Sequence, residues 1–302
     1  MNNKILITGG SGLIGTHLTK MLLDMGCQVA HMSRSKKSGQ VPSFVWDVEE
    51  GTMDVASLDG IDTIIHLAGA GVADKRWSKS RKEEILQSRV KSTQLLFETL
   101  SKNPNQVKSF ISASAIGYYG FGTSKEVFHE QSQFGTDFLA TVTRAWEEEV
   151  DKISALRMRV AKLRIGIVLS DEGGALVEMA KPIRLGFGSP LGSGKQYLSW
   201  IHLDDLCAMF IKAVETDLMQ GAYNAVSGNW VTNKEMTKTI AKILNKPLWL
   251  PNVPAFVLKL VVGQMAEIVL NGSKVSADKI KSTGFNFKYT DLRQALESLL
   301  KT

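Results

Sequence analysis

Only two cysteines occur in 302 residues, Cys27 and Cys207, far apart and in apolar surroundings. So few exclude a disulfide scaffold, and both read as small core residues of a chain suited to a reducing cytoplasm. No group of His, Cys and Asp has metal-ligand spacing, so no metal is expected. Like charges never run to blocks of five or six. The formal net charge of +6 reads as a solvated surface rather than a nucleic-acid footprint, with some positive charge left for an anionic small ligand. A long apolar run is missing too: "VPAFVLKLVVGQMAEIVL" (253–270) is interrupted by Lys259, Gln264 and Glu267. It reads as one or two amphipathic helices rather than a membrane span. The strand pattern begins by Lys4, which leaves no room for a signal peptide. The expectation is a cytoplasmic protein with neither nucleic acid nor membrane as partner.

The apolar content of 44% supports a real core, in about two domains or one large one. Short apolar segments alternate with helical ones over the first 170 residues or so. "KILIT" (4–8), "QVAHMS" (28–33), "SFVWD" (43–47), "TIIHLA" (63–68), "VKSFISAS" (107–114) and "RVAKLRIGIVL" (159–169) read as strands. Residues 13–25, 78–101 and 137–155 read as helices. That alternation predicts an α/β fold, a doubly wound parallel sheet of βαβ units. "LGFGSPLGSGKQYLSW" (185–200) is glycine-rich and reads as a loop crossing a cleft, with glycine hinges suited to a lid. From about 228 the pattern turns helical, with prolines 247, 251 and 254. We therefore divide the chain into an α/β unit (1–168 with 198–226) and a smaller, mostly helical lid unit (169–197 with 227–302).

The first strand runs into Gly9-x-x-Gly12-x-x-Gly15 and then a helix. The first glycine allows a tight turn, the second lets a pyrophosphate approach the backbone, and the third lets helix and strand pack closely. The helix N-terminus adds free N–H groups and a positive dipole end. The second strand ends in Ser33, Arg34, Ser35, Lys36 and Lys37. An NAD site usually has an acidic residue there; a hydroxyl and cations suit a 2′-phosphate, so NADP is favoured over NAD.

"TGGSGLIG" (8–15), "HLAGAGV" (66–72), "SASAIGYYG" (112–120), "LRIGIVL" (163–169) and "WIHLDDLCAMF" (200–210), in that order, resemble the extended short-chain dehydrogenase/reductases, which include nucleotide-sugar epimerases and dehydratases. "RWSKSRKEEILQSRVKST" (76–93), "FLATVTRAWE" (138–147) and "PAFVLKLVVGQMAEIVL…GFNF" (254–287) resemble an atypical, epimerase-like group with a small C-terminal domain of unknown function. The resemblance implies a Rossmann-type fold. It places Gly9, Gly12, Leu13, Ile14 and Gly15 at the pyrophosphate, Ser33 and Arg34 at the adenosine ribose or its phosphate, and Asp47 and Val48 beside the adenine. Leu67, Ala68 and Gly69 would pass toward the nicotinamide ribose, and Ser112, Ile165 and Ile167 would border the nicotinamide. The apolar members of this set read equally well as strand core. Many relatives dimerise through two helices, here 78–101 and 137–155, which implies a possible homodimer.

The superfamily's chemistry uses Ser, Tyr and Lys, the last two as Tyr-x-x-x-Lys on one helix face. Ser114 matches the serine. Phe138 or Leu139 stands where Tyr belongs, and Val142 or Thr143 where Lys belongs. Arg89 replaces an asparagine common in relatives. Tyr118 and Tyr119 are candidates for the proton transfer; the competing reading makes them packing or substrate-contact residues. Arg89 either assists them or binds an anionic substrate, and Arg164 either contacts substrate or pairs with a carboxylate. Lys195 and Gln196 are candidate substrate contacts on the loop. His66 reads as a core histidine before a catalytic one, His202 as structural, and Asp204 and Asp205 as helix N-caps. Two functions fit: an NADP-dependent oxidoreductase or epimerase on a small polar substrate such as a nucleotide sugar, and a nucleotide-binding sensor or scaffold without chemistry.

Overall fold

The chain was described from a computed structural model covering residues 3–36, 38–121 and 126–301. The apolar segments form strands where β-branched residues cluster. These are β1 (Lys4–Thr8), β2 (Gln28–Ser33), β3 (Ser43–Asp47), β4 (Thr52–Met53), β5 (Thr63–His66), β6 (Ser109–Ala115) and β7 (Val127–Phe128), then β8 (Arg159–Ile165), β9 (Ile167–Leu169), β10 (Tyr197–His202), β11 (Gly221–Ala225), β12 (Trp230–Thr232) and β13 (Lys274–Val275). The helices are α1 (Leu13–Asp24), α2 (Lys79–Lys102), α3 (Phe138–Lys152), α4 (Ala175–Arg184), α5 (Leu203–Glu215), α6 (Asn233–Ile243), α7 (Ala255–Val262), α8 (Glu267–Leu270), α9 (Asp278–Ser282) and α10 (Leu292–Leu300).

Eight strands make one sheet in the order β11-β8-β6-β5-β1-β2-β3-β4, parallel except for the β3–β4 pair. From β1 the chain works outward to β3, returns to β5 on the other side of β1, and works outward again. The strand order therefore reverses between β1 and β5, the place where doubly wound sheets open a crevice at their carboxyl ends. Helices α1 and α5 pack together, as do α2 and α3, and Ile5, Leu6, Ile7, Ile64, Ile65, Phe110 and Ile111 lie fully buried in the sheet. Such near-continuous apolar runs are what a two-sided parallel sheet requires.

Helix starts follow local chemistry. Ser78 caps α2 by accepting from Arg81 N, and Asp137 caps α3 by accepting from Ala140 N. Thr232 and Glu235 form a reciprocal capping box at α6. At α5 the structure corrects the sequence reading. His202 is the cap, accepting from Asp204 N, while Asp205 receives the Lys288 and Tyr289 N–H groups. Asp204 instead bonds His17 and Lys288.

A second correction concerns the stretch 159–169. It is two strands, split at Gly166. After the split, β9 leaves the large sheet and joins β10 and β12 in a three-stranded sheet. So 198–202, grouped above with the first unit, lies in the small sheet, and α5 and β11 return the chain to the large one. A separate core of Leu176, Ile183, Trp200, Met236, Ile240 and Leu296 fills the second unit.

Candidate functional site

The switch point is closed by tight backbone contacts. Gly9 has φ +70°, and a Cβ there would stand 3.0 Å from Ala68 N. A Cβ on Gly15 would stand 2.5 Å from Gly9 O. Helix α1 thus rests directly on the turn, and the turn rests on the end of β5. Gly12 differs: an added Cβ would meet only Gly9 O, at 3.4 Å. It is the N-cap of α1 and provides no side-chain cap for the first-turn N–H groups. Space above a bare glycine, together with uncapped donors, fits a pyrophosphate.

Thr8 ties the two central strands. Its hydroxyl oxygen accepts from Leu67 N and Ala68 N, both at 3.2 Å, and bonds His66 Nδ1 at 2.7 Å. His66 is fully buried, with Thr93 Oγ1 3.1 Å from its other ring nitrogen. Burial, with some help from the Arg89 charge, pushes its pKa down to about 3, so it stays neutral. This is the core histidine that the sequence suggested.

Strand registers line up the remaining predicted residues. Thr8 pairs with Met32 and His66, His66 with Ser112, and Ala115 with Ile165. The carboxyl ends of β3, β2, β1, β5, β6 and β8 therefore succeed one another. They bring Asp47, Val48, Ser33, Arg34, the glycine turn, Leu67, Ala68, Gly69 and Ile165 to one edge, with Ile167 just past the Gly166 split. Asp47 turns onto its own loop, accepting from Glu49 N and Glu50 N. Ser33 donates to Ser35 O, and Arg34 is exposed. Glu84, on α2, has its pKa lowered by a hydrogen bond from Arg81 and by the charges of Arg81, Lys75 and Arg34. Lys37 lies outside the described residues. Ser112 is the middle residue of β6, fully buried, its hydroxyl donating to Ala113 O.

The candidate catalytic end is organised by a buried ion pair. Arg164 gives Nε to Glu147 Oε1 and Nη2 to Glu147 Oε2, both at 2.8 Å. Ser114 Oγ donates to Glu147 Oε1 at 2.5 Å, and Lys162 Nζ lies 3.4 Å from Oε2. Burial pushes the Glu147 carboxyl up, but Arg164, Lys162 and Ser114 outweigh it and hold its pKa below the ordinary value. Burial likewise opposes the Arg164 cation, and Glu147 more than offsets it.

Arg164 also donates Nη1 to Tyr119 Oη at 3.0 Å, and Tyr119 Oη donates to Asn224 Oδ1 at 2.6 Å. Tyr119 is buried, and burial pushes its pKa up to about 12. For both side chains the structure takes one of the alternatives that the sequence left open. Arg164 takes the ion-pair alternative, and Tyr119 is a buried donor rather than an exposed acid. Tyr118 is different. It is half-buried, its ring lies 3.5 Å from the Arg164 guanidinium, and its hydroxyl has no hydrogen-bond partner among the described residues.

Arg89 donates Nη1 to Ala70 O and Ile85 O, and lies over the Trp146 ring. Its guanidinium closes on Gly69, where a Cβ would come within 3.1 Å. Burial and the Arg81 charge lower its pKa to about 10, so it remains a cation at neutral pH. Gln196 is tied to Leu191 O and Val269 O, which bridges the glycine loop to the C-terminal unit, while Lys195 is exposed. At the relay positions, Val142 and Thr143 are buried, with Thr143 bonded to Leu139 O. Phe138 packs on Trp77 with Lys82 Nζ 4.8 Å from its ring centre. No tyrosine in the chain is followed four residues later by lysine.

Sequence reasoning missed Glu147, Asn224 and Lys162. A signal existed for Glu147: it shares the helical phase of Thr143, Trp146 and Val150, the buried face of α3. Among the described residues, no three His, Cys, Asp or Glu side chains are grouped to hold a metal, and no helix is long and apolar enough to cross a membrane.

Comparison with known proteins agrees with this architecture. The model of the NAD dependent epimerase/dehydratase family matches residues 5–225, and that of a domain of unknown function, DUF1731, matches 253–299. The Staphylococcus epidermidis epimerase family protein SERP0438 is 35% identical over 305 residues, covering 99% of both chains. The crystal structure of human epimerase family protein SDR39U1 with NADPH superposes with a TM-score of 0.88 at 30% identity, covering 99% of each chain. A nucleoside-diphosphate sugar epimerase from Corynebacterium glutamicum has a TM-score of 0.80 at 31% identity, covering 98% of this chain and 57% of that one. On its sequence, its sheet order and its glycine turn, the chain belongs to the NAD dependent epimerase/dehydratase family.

Proposed function

We propose that this protein binds NADP(H) at the switch point and acts as an oxidoreductase or epimerase on a small polar substrate of nucleotide-sugar type. The observation that carries the reading is the bare Gly12 N-cap above a turn packed on β5, with Arg34 rather than an acid at the end of β2. NADPH in the human relative's structure and the sugar-nucleotide name of the Corynebacterium relative support it.

Gly9, Gly12, Leu13, Ile14 and Gly15 would hold the pyrophosphate, Arg34 the 2′-phosphate, and Leu67 to Gly69 with Ile165 and Ile167 the nicotinamide half. Bound there, the cofactor would supply hydride acceptance and donation at its nicotinamide ring. The chain's own residues do the rest. Arg89 brings a fixed cation to the Gly69–Ala70 turn, where it can hold an anionic substrate group. Glu147 fixes Arg164, and Arg164 fixes the Tyr118 ring. That leaves the Tyr118 hydroxyl as the phenol available to carry a proton. Ser114 donates to Glu147.

A second reading has its own observation. With Phe138, Leu139, Val142 and Thr143 at the relay positions, a nucleotide-responsive binding protein without turnover also accounts for the site.

Calorimetric titration with NADPH and NADH, repeated with Arg34→Ala, tests the first reading. A roughly ten-fold preference for NADPH corresponds to about 1.4 kcal/mol, and the variant should erase it. Binding of neither nucleotide refutes both readings. Binding with no turnover across carbonyl and sugar-nucleotide substrates selects the second.

A further inference from the structure

Eleven large apolar side chains are exposed among the described residues, and six of them fall on two stretches of the second unit. Leu185 (74%) and Phe187 (62%) belong to the glycine loop. Trp249 (66%), Phe256 (72%), Leu260 (78%) and Val261 (61%) belong to the segment through α7. Helix α7 buries none of its residues. Its sequence AFVLKLVV places Phe256 and Leu260 four apart, on one outward face.

The two stretches form one surface. Trp249 Nε1 donates to Gly186 O, Ser189 Oγ bonds Pro251 O, Gly192 N donates to Val253 O, and Leu191 pairs with Val253. They are also one-signed. Residues 179–203 and 236–266 contain seven Lys or Arg and no Asp or Glu, in a chain whose whole net charge is +6. All seven cations (Lys181, Arg184, Lys195, Lys238, Lys242, Lys246 and Lys259) are exposed, and of these Lys181 is paired, with Glu178 just outside the stretch.

We infer that this surface docks on a lipid bilayer carrying anionic headgroups, lying in its interface rather than crossing it. Charge complementarity selects this occupant. A second copy would set cations against cations, whereas exposed Leu, Phe and Trp side chains flanked in sequence by Arg184, Lys246 and Lys259 suit an anionic interface. The apolar groups enter the headgroup–acyl boundary while the long basic side chains reach phosphates. The sequence expectation of no membrane partner rested on the lack of a spanning helix, and surface docking does not need one. Arg76 Nη2 donates to Leu260 O, and Met265 and Ile268, just after α7, pack against the cluster of Trp77, Ile85 and Val142. The docking helix is thereby held against the segments that flank the candidate site.

The test uses the full-length protein and vesicles of phosphatidylcholine, with or without about one-third phosphatidylglycerol. Expected is at least a roughly ten-fold excess of sedimentation with the anionic vesicles, weakening with salt. Phe256→Ala/Leu260→Ala should lose about ten-fold while keeping its melting temperature, because both side chains are already exposed. Emission should shift to the blue on anionic vesicles, and Trp249→Phe should abolish the shift without abolishing binding. Absence of binding to anionic vesicles overturns the inference. So does equal binding by Phe256→Ala/Leu260→Ala, or a dimer in solution that this double variant dissolves, which would make a second copy the occupant.

Discussion

Replacing Glu147 with Gln removes one charge from a pair with side chains only 4% and 6% exposed. The shape is nearly kept, but Arg164 loses both carboxylate contacts and Ser114 its acceptor anion. Lys162 keeps Asp151, at 2.7 Å, so the orphaned charge is that of Arg164. Breaking one side of such a pair costs about 3–5 kcal/mol, because the remaining charge stays desolvated. At about 2–4 °C per kcal/mol for a unit of this size, Glu147→Gln should melt roughly 6–20 °C lower. Glu147→Met/Arg164→Met removes both charges and should recover most of that loss. Differential scanning calorimetry on the wild type, both single variants and the double variant reads the coupling directly. If the single variant loses under about 1 kcal/mol, or the double loses the sum of the singles, the pair does not organise this end of the sheet. The pH dependence has a definite sign. Because the folded carboxyl titrates below its ordinary value, its stabilisation is complete above about pH 4.5 and fades as pH falls through the lower folded value.

Gly15→Ala drives a Cβ to 2.5 Å from Gly9 O; it should cost about 1–3 kcal/mol of stability in a denaturant melt and weaken NADPH binding by roughly ten-fold or more. Tyr119→Phe leaves Asn224 and Arg164 each short of a partner; a urea titration should show a loss of about 1–3 kcal/mol. The same variant should leave any neutral-pH activity profile in place, since the Tyr119 phenol titrates only near about 12. The His66 ring should stay neutral by NMR until pH nears about 3. Its stabilisation is then full above the ordinary histidine value of 6.5 and lost as pH falls from there toward about 3.

The glycine turn, the large sheet and its helices were legible because each rests on local signals. Apolar runs, glycine spacing and cap residues such as Ser78 and Asp137 lie within a few positions of what they control. The break at Gly166 was not legible. "RVAKLRIGIVL" has unbroken strand character, and only the backbone of Ser199, 33 residues later, demands the change of sheet. Glu147 stands in "WEEEV" among three identical acids, and only helical phase distinguishes it. Tyr119 and Arg164 look like cleft residues in sequence. Their partners Asn224 and Glu147 arrive from other elements, 105 and 17 residues away. The proposed docking surface escaped for the opposite reason: its cations and apolar groups are scattered over two stretches that only the fold ties together.

At Gly166 the polypeptide passes from one sheet to the other within a single residue, where a Cβ would stand 2.5 Å from Ser199 O. The chain then crosses back through α5 to β11 before leaving again. Two modules joined by a tether can be exchanged by one recombination event or trimmed by one stop codon. Here the segments are interleaved like the teeth of two combs, so no single cut separates them.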